Sequence, residues 1–394
     1  MADHFLILTQ QLAAALEANA GTAETLTAAD VKLRPFRSDP PFTPDFPRFG
    51  NDEVAEDEAQ APDFVSGAKA AMAVGLNLKT SGTVGTDPAT GIYLEACGAK
   101  KQLVQAITIG AIAGGDTQFL AGEAYTATGG KTGIIEATIT GAGTLRYIVV
   151  GGGALVSTDV VTAVGDSATC SGSNAAYAVK YTPRSTGKRT LTIQRIMKND
   201  QATGGQDFIY RLKGAMGNCQ ITWTPLDAIR AAFEYQGVVA LMGAGDFLTP
   251  VTYEAGTEPK FINATCQLNA VAVQPAEIVF DFGNAVEMDP EPTTIGGTAG
   301  FLQGRIAGRN PTITIAPFRL KVAELDDLGL LQAGTTMPFL LRTGTSPQMV
   351  EFVAPKCQIR GWSPGERAGL QTAQLTLHII RDALTDNDWA LYFR

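Results

Sequence analysis

Two histidines, His4 and His378, are the entire imidazole inventory of this 394-residue chain. A Ser-His-Asp or Cys-His relay would have to recruit one of them. His378 lies in the alternating run Leu375–Ile380, where it reads as an ordinary strand residue. No Gly-x-Ser-x-Gly elbow offers a nucleophile. Gly129-Gly130-Lys131-Thr132 ends like a phosphate loop, but Tyr125 stands where the opening Gly is required, and the surroundings read as strand. Gly151-Gly152-Gly153 lacks the spacing of a dinucleotide loop and reads as a turn. The acidic run Asp52, Glu53, Glu56, Asp57, Glu58 lacks the alternating ligand order and fixed Gly of a calcium loop. Cys97, Cys170, Cys219, Cys266 and Cys357 are scattered, with no Cys-x-x-Cys pair, and read as reduced, mostly buried thiols. Asn263-Ala264-Thr265 fits a glycosylation sequon, but the first basic residue is Lys32, so no secretory leader is expected. The sequence leads us to expect no catalytic centre, no metal and no cofactor.

Composition narrows the class. The apolar fraction of 45% is ordinary, while charged residues reach only 18% and Gly is abundant at 43 positions. A net charge of −9 argues against gripping nucleic-acid phosphates, although not against a surface that DNA slides past. No apolar run approaches a membrane span, and nothing suggests a coiled coil.

Helical spacing is confined to Leu6–Ala18, to Asp87–Ala99 with Asp87 as N-cap, and to Val322–Gln332. Ala71–Leu78, Thr190–Ile196, Ile221–Thr224, Ala232–Val239, Thr312–Phe318 and Thr372–Ile380 alternate with period two or are rich in β-branched residues. A mainly β fold follows. Internal similarity organises it. Asp39-Pro40 and Asp289-Pro290 each close a strand-like run. Ala71–Lys79 matches Ile313–Lys321, Leu94–Gly98 matches Leu330–Gly334, and Cys219-Gln220-Ile221 matches Cys357-Gln358-Ile359. A Trp and a Pro follow each Cys-Gln-Ile: Trp223 and Pro225, Trp362 and Pro364. The order is the same in both copies. Gly98 and Cys219 are much farther apart than Gly334 and Cys357, so the first copy carries an insertion. We therefore expect a discontinuous first domain (1–104 and 184–250), an inserted β module (105–183) at a hairpin tip, and a second domain (251–394).

Between the first two anchors, Pro40–Phe64 combines five prolines with Phe42, Phe46, Phe49 and Phe64 and the acids Asp52, Glu53, Glu56, Asp57 and Glu58. Its apolar side chains predict an ordered contact arm rather than a solvated loop.

Several of these segments resemble the tail tube proteins of long-tailed bacteriophages. The opening Gln11–Asp30, the helix end Gly91-Ile-Tyr-Leu-Glu-Ala-Cys-Gly98 and the strand pair running from Phe208 to Gly237 carry the likeness. Together with the second copy it covers most of the chain except 105–183 and the last dozen residues. The resemblance implies β-sandwich or barrel domains without catalytic residues, joined into rings that stack into a conduit for the genome. With two tube domains per chain, three chains would make the ring that six single-domain chains make elsewhere in the family. It also implies where the chain works and with what. The place is the virion tail, after synthesis in the bacterial cytoplasm. The partners are other copies of the chain, a tape measure protein and DNA passing through the lumen without specific binding, and tail terminator and distal tail proteins; no membrane is involved. On this reading the insertion decorates the outside and the arm Phe42, Phe46, Phe49, Asp52, Glu53, Glu56, Asp57, Glu58, Phe64 stacks one ring on the next. Two other classes stay open: a baseplate, tail-tip or capsid-decoration subunit, and a carbohydrate-binding adhesin using Trp223 or Trp362.

Overall fold

Strands dominate the computed structural model, which describes residues 5–36, 42–49, 64–65, 67–200, 206–256, 258–291, 300–382 and 388–394. Numbering them in chain order, one antiparallel run crosses the molecule. It begins with β2 (Phe42–Asp45), β5 (Lys69–Asn77), β17 (Arg230–Gly245) and β16 (Asp207–Trp223). It continues through β20 (Pro275–Asp281), β23 (Thr312–Pro317), β26 (Leu370–Ile379) and β25 (Val350–Arg367). Each half of the chain supplies four of these eight strands in the same order: a leading strand, a strand that runs on to a helix, and the two arms of a long hairpin. Alternation decides which face is buried. Ala70, Met72, Val74 and Leu76 point inward from β5, and Ile313 and Ile315 from β23. Among the described residues the run stays open, with no closed barrel.

A second layer covers this sheet. In the first half, β1 (Phe5–Leu16) pairs with β15 (Leu191–Asn199), which pairs with the start of β16. In the second, β24 (Thr336–Thr343) lies between the start of β25 and β18 (Thr265–Leu268), beyond which lies β19 (Val271–Ala272). The strand β27 (Ala390–Phe393) joins β25 to β14 (Ala175–Pro183), which pairs with β6 (Ala99–Ile109). Leu12, Met72, Trp223 and Phe233 share one core with Phe280, Phe352, Phe339 and Leu377. Trp223 meets Phe352 at a ring separation of 6.1 Å, and Phe280 meets Phe352 at 4.4 Å. The two halves are fused through this core rather than folded apart.

The insertion has its own core. β7 (Gln118–Phe119), β8 (Ala124–Ala127), β9 (Lys131–Ile135), β10 (Ile139–Thr140), β11 (Gly143–Gly151), β12 (Val160–Ala163) and β13 (Asp166–Thr169) enclose Ile107, Phe119, Tyr125, Leu145, Tyr147, Val161 and Cys170. It sits at the far end of the β6–β14 hairpin. The border falls inside 105–183, because Val179 and Tyr181 of β14 belong to the main core.

Three sequence expectations change. Leu6–Ala18, read as a helix, is β1. Leu12 and Ala14 face the main core while Ala13 faces a small cluster with Leu26 and Val31, so a strand covered on both sides shows apolar residues at consecutive positions. Helix α1 (Gly91–Ala96) begins after Thr90, and Asp87 instead accepts hydrogen bonds from the Tyr181 hydroxyl and Lys101 Nζ. Helix α2 (Asp327–Ala333) is capped by Asp326, whose carboxylate accepts from the Gly329 N–H at 2.9 Å. Both helices end at a left-handed Gly, Gly98 with φ 78° and Gly334 with φ 62°.

The repeat is real in topology but shifted in register. Phe42 pairs with Met72 and Phe280 with Ile313, all four of them buried, so Met72 and not Ala71 is the counterpart of Ile313. A one-residue slip would turn the buried face outward. The Cys-Gln-Ile match is displaced too. Phe233 stands opposite Val74 and Leu375 opposite Ile315, yet Cys219 pairs with Phe233 while Cys357 pairs with Ile379.

Candidate assembly surface

The joint between the two halves is built by a strand and a hairpin. Gln220–Trp223 of β16 pair with Ile278–Asp281 of β20. The chain then turns at Gly283 into the hairpin β21 (Asn284–Pro290) and β22 (Phe301–Arg309), which folds over the first half. Asn284 fixes the entry: its N–H donates to Asn218 Oδ1 at 3.0 Å, and its amide donates to the carbonyls of Cys97 at 2.8 Å and Gly217 at 3.0 Å. Asn218 in turn donates to Asp281 Oδ1 at 2.8 Å. Further along, Lys188 Nζ donates to the Ile306 carbonyl at 2.9 Å, and Ile306, only 5% exposed, covers Gly98 at the end of α1. Close approach requires Gly on both sides. A Cβ on Gly304 would lie 2.7 Å from the Gln236 carbonyl oxygen, and one on Gly214 would lie 2.9 Å from Gln303 Cα. Glu17, buried beneath, accepts from Thr190 and Thr192 hydroxyls at 2.6 and 2.8 Å and from the N–H groups of Gly21 and Gly214 at 2.8 and 2.7 Å.

The same parts recur at the ends of the eight-strand run, without a partner for the described residues. Between β2 and β5 lies a second hairpin, β3 (Arg48–Phe49) with β4 (Phe64–Val65), in the place that β21–β22 occupy between β20 and β23. The outer edge of β2 and the outer edge of β25 beyond Gln358 pair with no strand among the described residues. Ser363–Glu366 are exposed there. Pro44 and Pro364 stand on these edge strands, a device that guards an open edge against indiscriminate pairing. The two helices differ accordingly. Tyr93, Leu94, Glu95 and Ala96 of α1 are buried, whereas α2 buries only Asp327 and leaves Leu328 40% exposed.

The arm residues named from the sequence scatter. Phe42 is 8% exposed and stacks on Tyr210 at 4.7 Å, so it serves the core and is not free for a contact outside the chain. Phe46 is half-buried, and Phe49 and Phe64 are register partners in β3–β4. Asp52, Glu53, Glu56, Asp57 and Glu58 lie outside the described residues. Of the two candidate sugar platforms, Trp223 is fully buried and Trp362 spends its indole N–H on Asp327 at 2.8 Å. His378 pairs with Thr312 and Gln358 on β26, and burial with the nearby Arg360 holds its pKa below the usual value. Lys131, in the turn side of β8–β9, donates to Asp159 at 2.6 Å. All five cysteines are buried free thiols. Sequence reading missed the clasp around Asn284. The one available signal was the Asp281-Phe282-Gly283-Asn284 turn, whose Asp281 Oδ1 accepts from the Gly283 N–H at 2.7 Å.

A cleft of about 890 Å³ separates the inserted module from the two halves, lined by Lys100, Glu136, Lys180, Arg184, Arg309 and Tyr392. Two of its cations are paired, Arg309 with Asp388 and Lys180 with Glu136: Lys180 Nζ and the Tyr392 hydroxyl both donate to Glu136 Oε1, at 2.7 and 2.5 Å, tying the module to β27. Among the described residues no helix is long and apolar enough to cross a membrane, and no cluster of His, Cys, Asp and Glu is arranged to hold a metal ion. Compared with models of known protein families and with curated proteins, the chain matches none.

Proposed function

We propose that the chain is a structural ring-former whose rings stack into a tube, as in the tail of a long-tailed bacteriophage, with DNA passing through the lumen. The observation that carries this reading is the eight-strand run: two equivalent halves joined edge to edge, with an edge at each end that no strand among the described residues covers. A head-to-tail surface of this kind closes into a ring when the rotation per subunit divides the circle. Closure also removes both exposed edges.

Strand spacing supports three chains as the minimum. At about 4.8 Å per strand, eight strands cover roughly 38 Å of circumference. Two chains would enclose a wall about 25 Å across, which inward side chains largely fill, whereas three give about 37 Å. Three is the smallest number that leaves a duplex-sized channel. The insertion belongs on the outside of such a ring, since its bulk in the lumen would block the channel.

Negative-stain microscopy of the purified chain tests the reading. Rings or tubes with a central hole are expected. Compact monomers or clusters at every concentration would overturn it.

A further inference from the structure

We infer that the hairpin β3–β4 of one chain clasps the end of helix α2 in the next chain of the same ring, as β21–β22 clasp the end of α1 within the chain. The inference rests on the ring reading above, and it moves the arm from a contact between rings to one between neighbours in a ring.

The register of the repeat carries the argument. Met72 and Ile313 are counterparts, each buried opposite a Phe of the preceding strand. Val65 stands as far ahead of Met72 as Ile306 stands ahead of Ile313, so Val65 is the counterpart of Ile306. Ile306 is 5% exposed against Gly98, while Val65 is 59% exposed. The surface that corresponds to Ile306's seat is the end of α2, where Gly334 matches Gly98 in its left-handed φ. Gln332, Ala333, Thr335 and Thr336 are exposed around it. At Gly334 itself the Gln358 amide donates to the carbonyl at 2.6 Å, so the open part of the seat is the exposed rim around it, which an apolar side chain such as Val65 can cover as Ile306 covers Gly98 within the chain. Pairing of β2 with the outer edge of β25 continues the same joint, since Ile221, opposite Ala231 and thence Leu76, corresponds to the exposed stretch of β25 around Pro364. The occupant is therefore a second copy of this chain.

The test is a double substitution, Val65→Cys with Ala333→Cys, at two exposed positions; the native thiols are buried and do not compete. A second pair, Val65→Cys with Gln332→Cys, guards against one unfavourable geometry. Rings isolated by size exclusion before they stack are treated with a short bismaleimide and run on a denaturing gel. Covalent dimers and trimers are expected from both double variants, and none from the single ones. Rings that form but link only after stacking into tubes, or link at neither pair, would overturn this joint and leave the ring reading standing. A chain that forms no rings at all would remove both.

Discussion

Helices α1 and α2 are the same element in two settings, and the contrast between them explains the molecule. Each follows an inward-facing strand and ends at a left-handed Gly. The first is buried beneath a hairpin contributed by the second half; the second meets only the Gln358 amide at Gly334 among the described residues and leaves Gln332, Ala333, Thr335 and Thr336 exposed. Nothing in the local sequence of α2 requires this exposure. Its Leu330 and Leu331 pack against the main core, while the equally apolar Leu328 is left 40% exposed. What differs is that the first half has a following half to cover it and the second does not. In the ring proposed above, the exposed copy of the repeat is where the next chain would sit.

The largest effect should come from breaking the joint that is already closed. Phe280 stands opposite Ile221 of the first half and packs on Phe352, Phe282 and Trp389 of the second. Phe280→Ala should cost about 3–5 kcal/mol in chemical denaturation. Full retention of stability would mean that the halves do not depend on a shared core.

The comparison sharpens with matched substitutions. Ile306→Ala removes a buried side chain and should destabilise the isolated chain by about 2–4 kcal/mol. Its counterpart Val65→Ala should change the isolated chain by less than about 0.5 kcal/mol. Ring formation, measured by size exclusion, should nevertheless weaken in Val65→Ala. Equal losses of monomer stability in the two variants would show that the covered and open seats are not equivalent.

The inserted module offers a smaller perturbation, since its core is separate from the main one. Replacing 110–174 by a short Gly-Ser turn keeps the β6–β14 and β14–β27 pairings and should cost on the order of 1 kcal/mol of loop-closure entropy. The shortened chain should still form rings. Cutting the wider span 105–183 should instead yield insoluble protein, because Tyr181 and Val179 leave the main core with it.

The smallest effect concerns pH. Burial, with Asp159 nearby, pushes the Cys170 thiol up to about 11 from an ordinary 9.0. In the folded module the thiol keeps its proton while the unfolded chain loses it. The stability present below 9.0 is therefore lost as pH rises towards 11. Cys266 and Cys357 of the main core are pushed up to about 12, so their loss also begins near 9.0 but continues to higher pH. The module should thus melt at lower temperature as pH passes 9.0, and Cys170→Ala should blunt this dependence. Alkylation with iodoacetamide under alkaline conditions should label Cys170 before the others. Uniform labelling would contradict separate cores.

Much of the fold was legible because alternation reports one buried face directly: Ala71–Leu78, Thr190–Ile196 and Thr372–Ile380 fall on β5, β15 and β26. The unequal spacing of matched segments predicted extra chain between Gly98 and Cys219, and a separate hydrophobic cluster lies within that stretch. β1 misled because both of its faces are covered, which erases the period of two. The repeat misled by one residue, since Ala71 and Met72 are both apolar and only burial separates them. The assembly surface was half legible. Phenylalanines in an acidic, Pro-rich arm suggested a contact, but Phe42 belongs to the core, and the seat on α2 is defined by what is missing over it. No residue pattern records that.

The central claim is that the joint inside the chain is repeated between chains until a ring closes, and the mass of that ring tests it most directly. Native mass spectrometry of rings isolated before stacking should return three copies of the 41.4 kDa chain. Six copies per ring, or a chain that stays monomeric at every concentration, would contradict it.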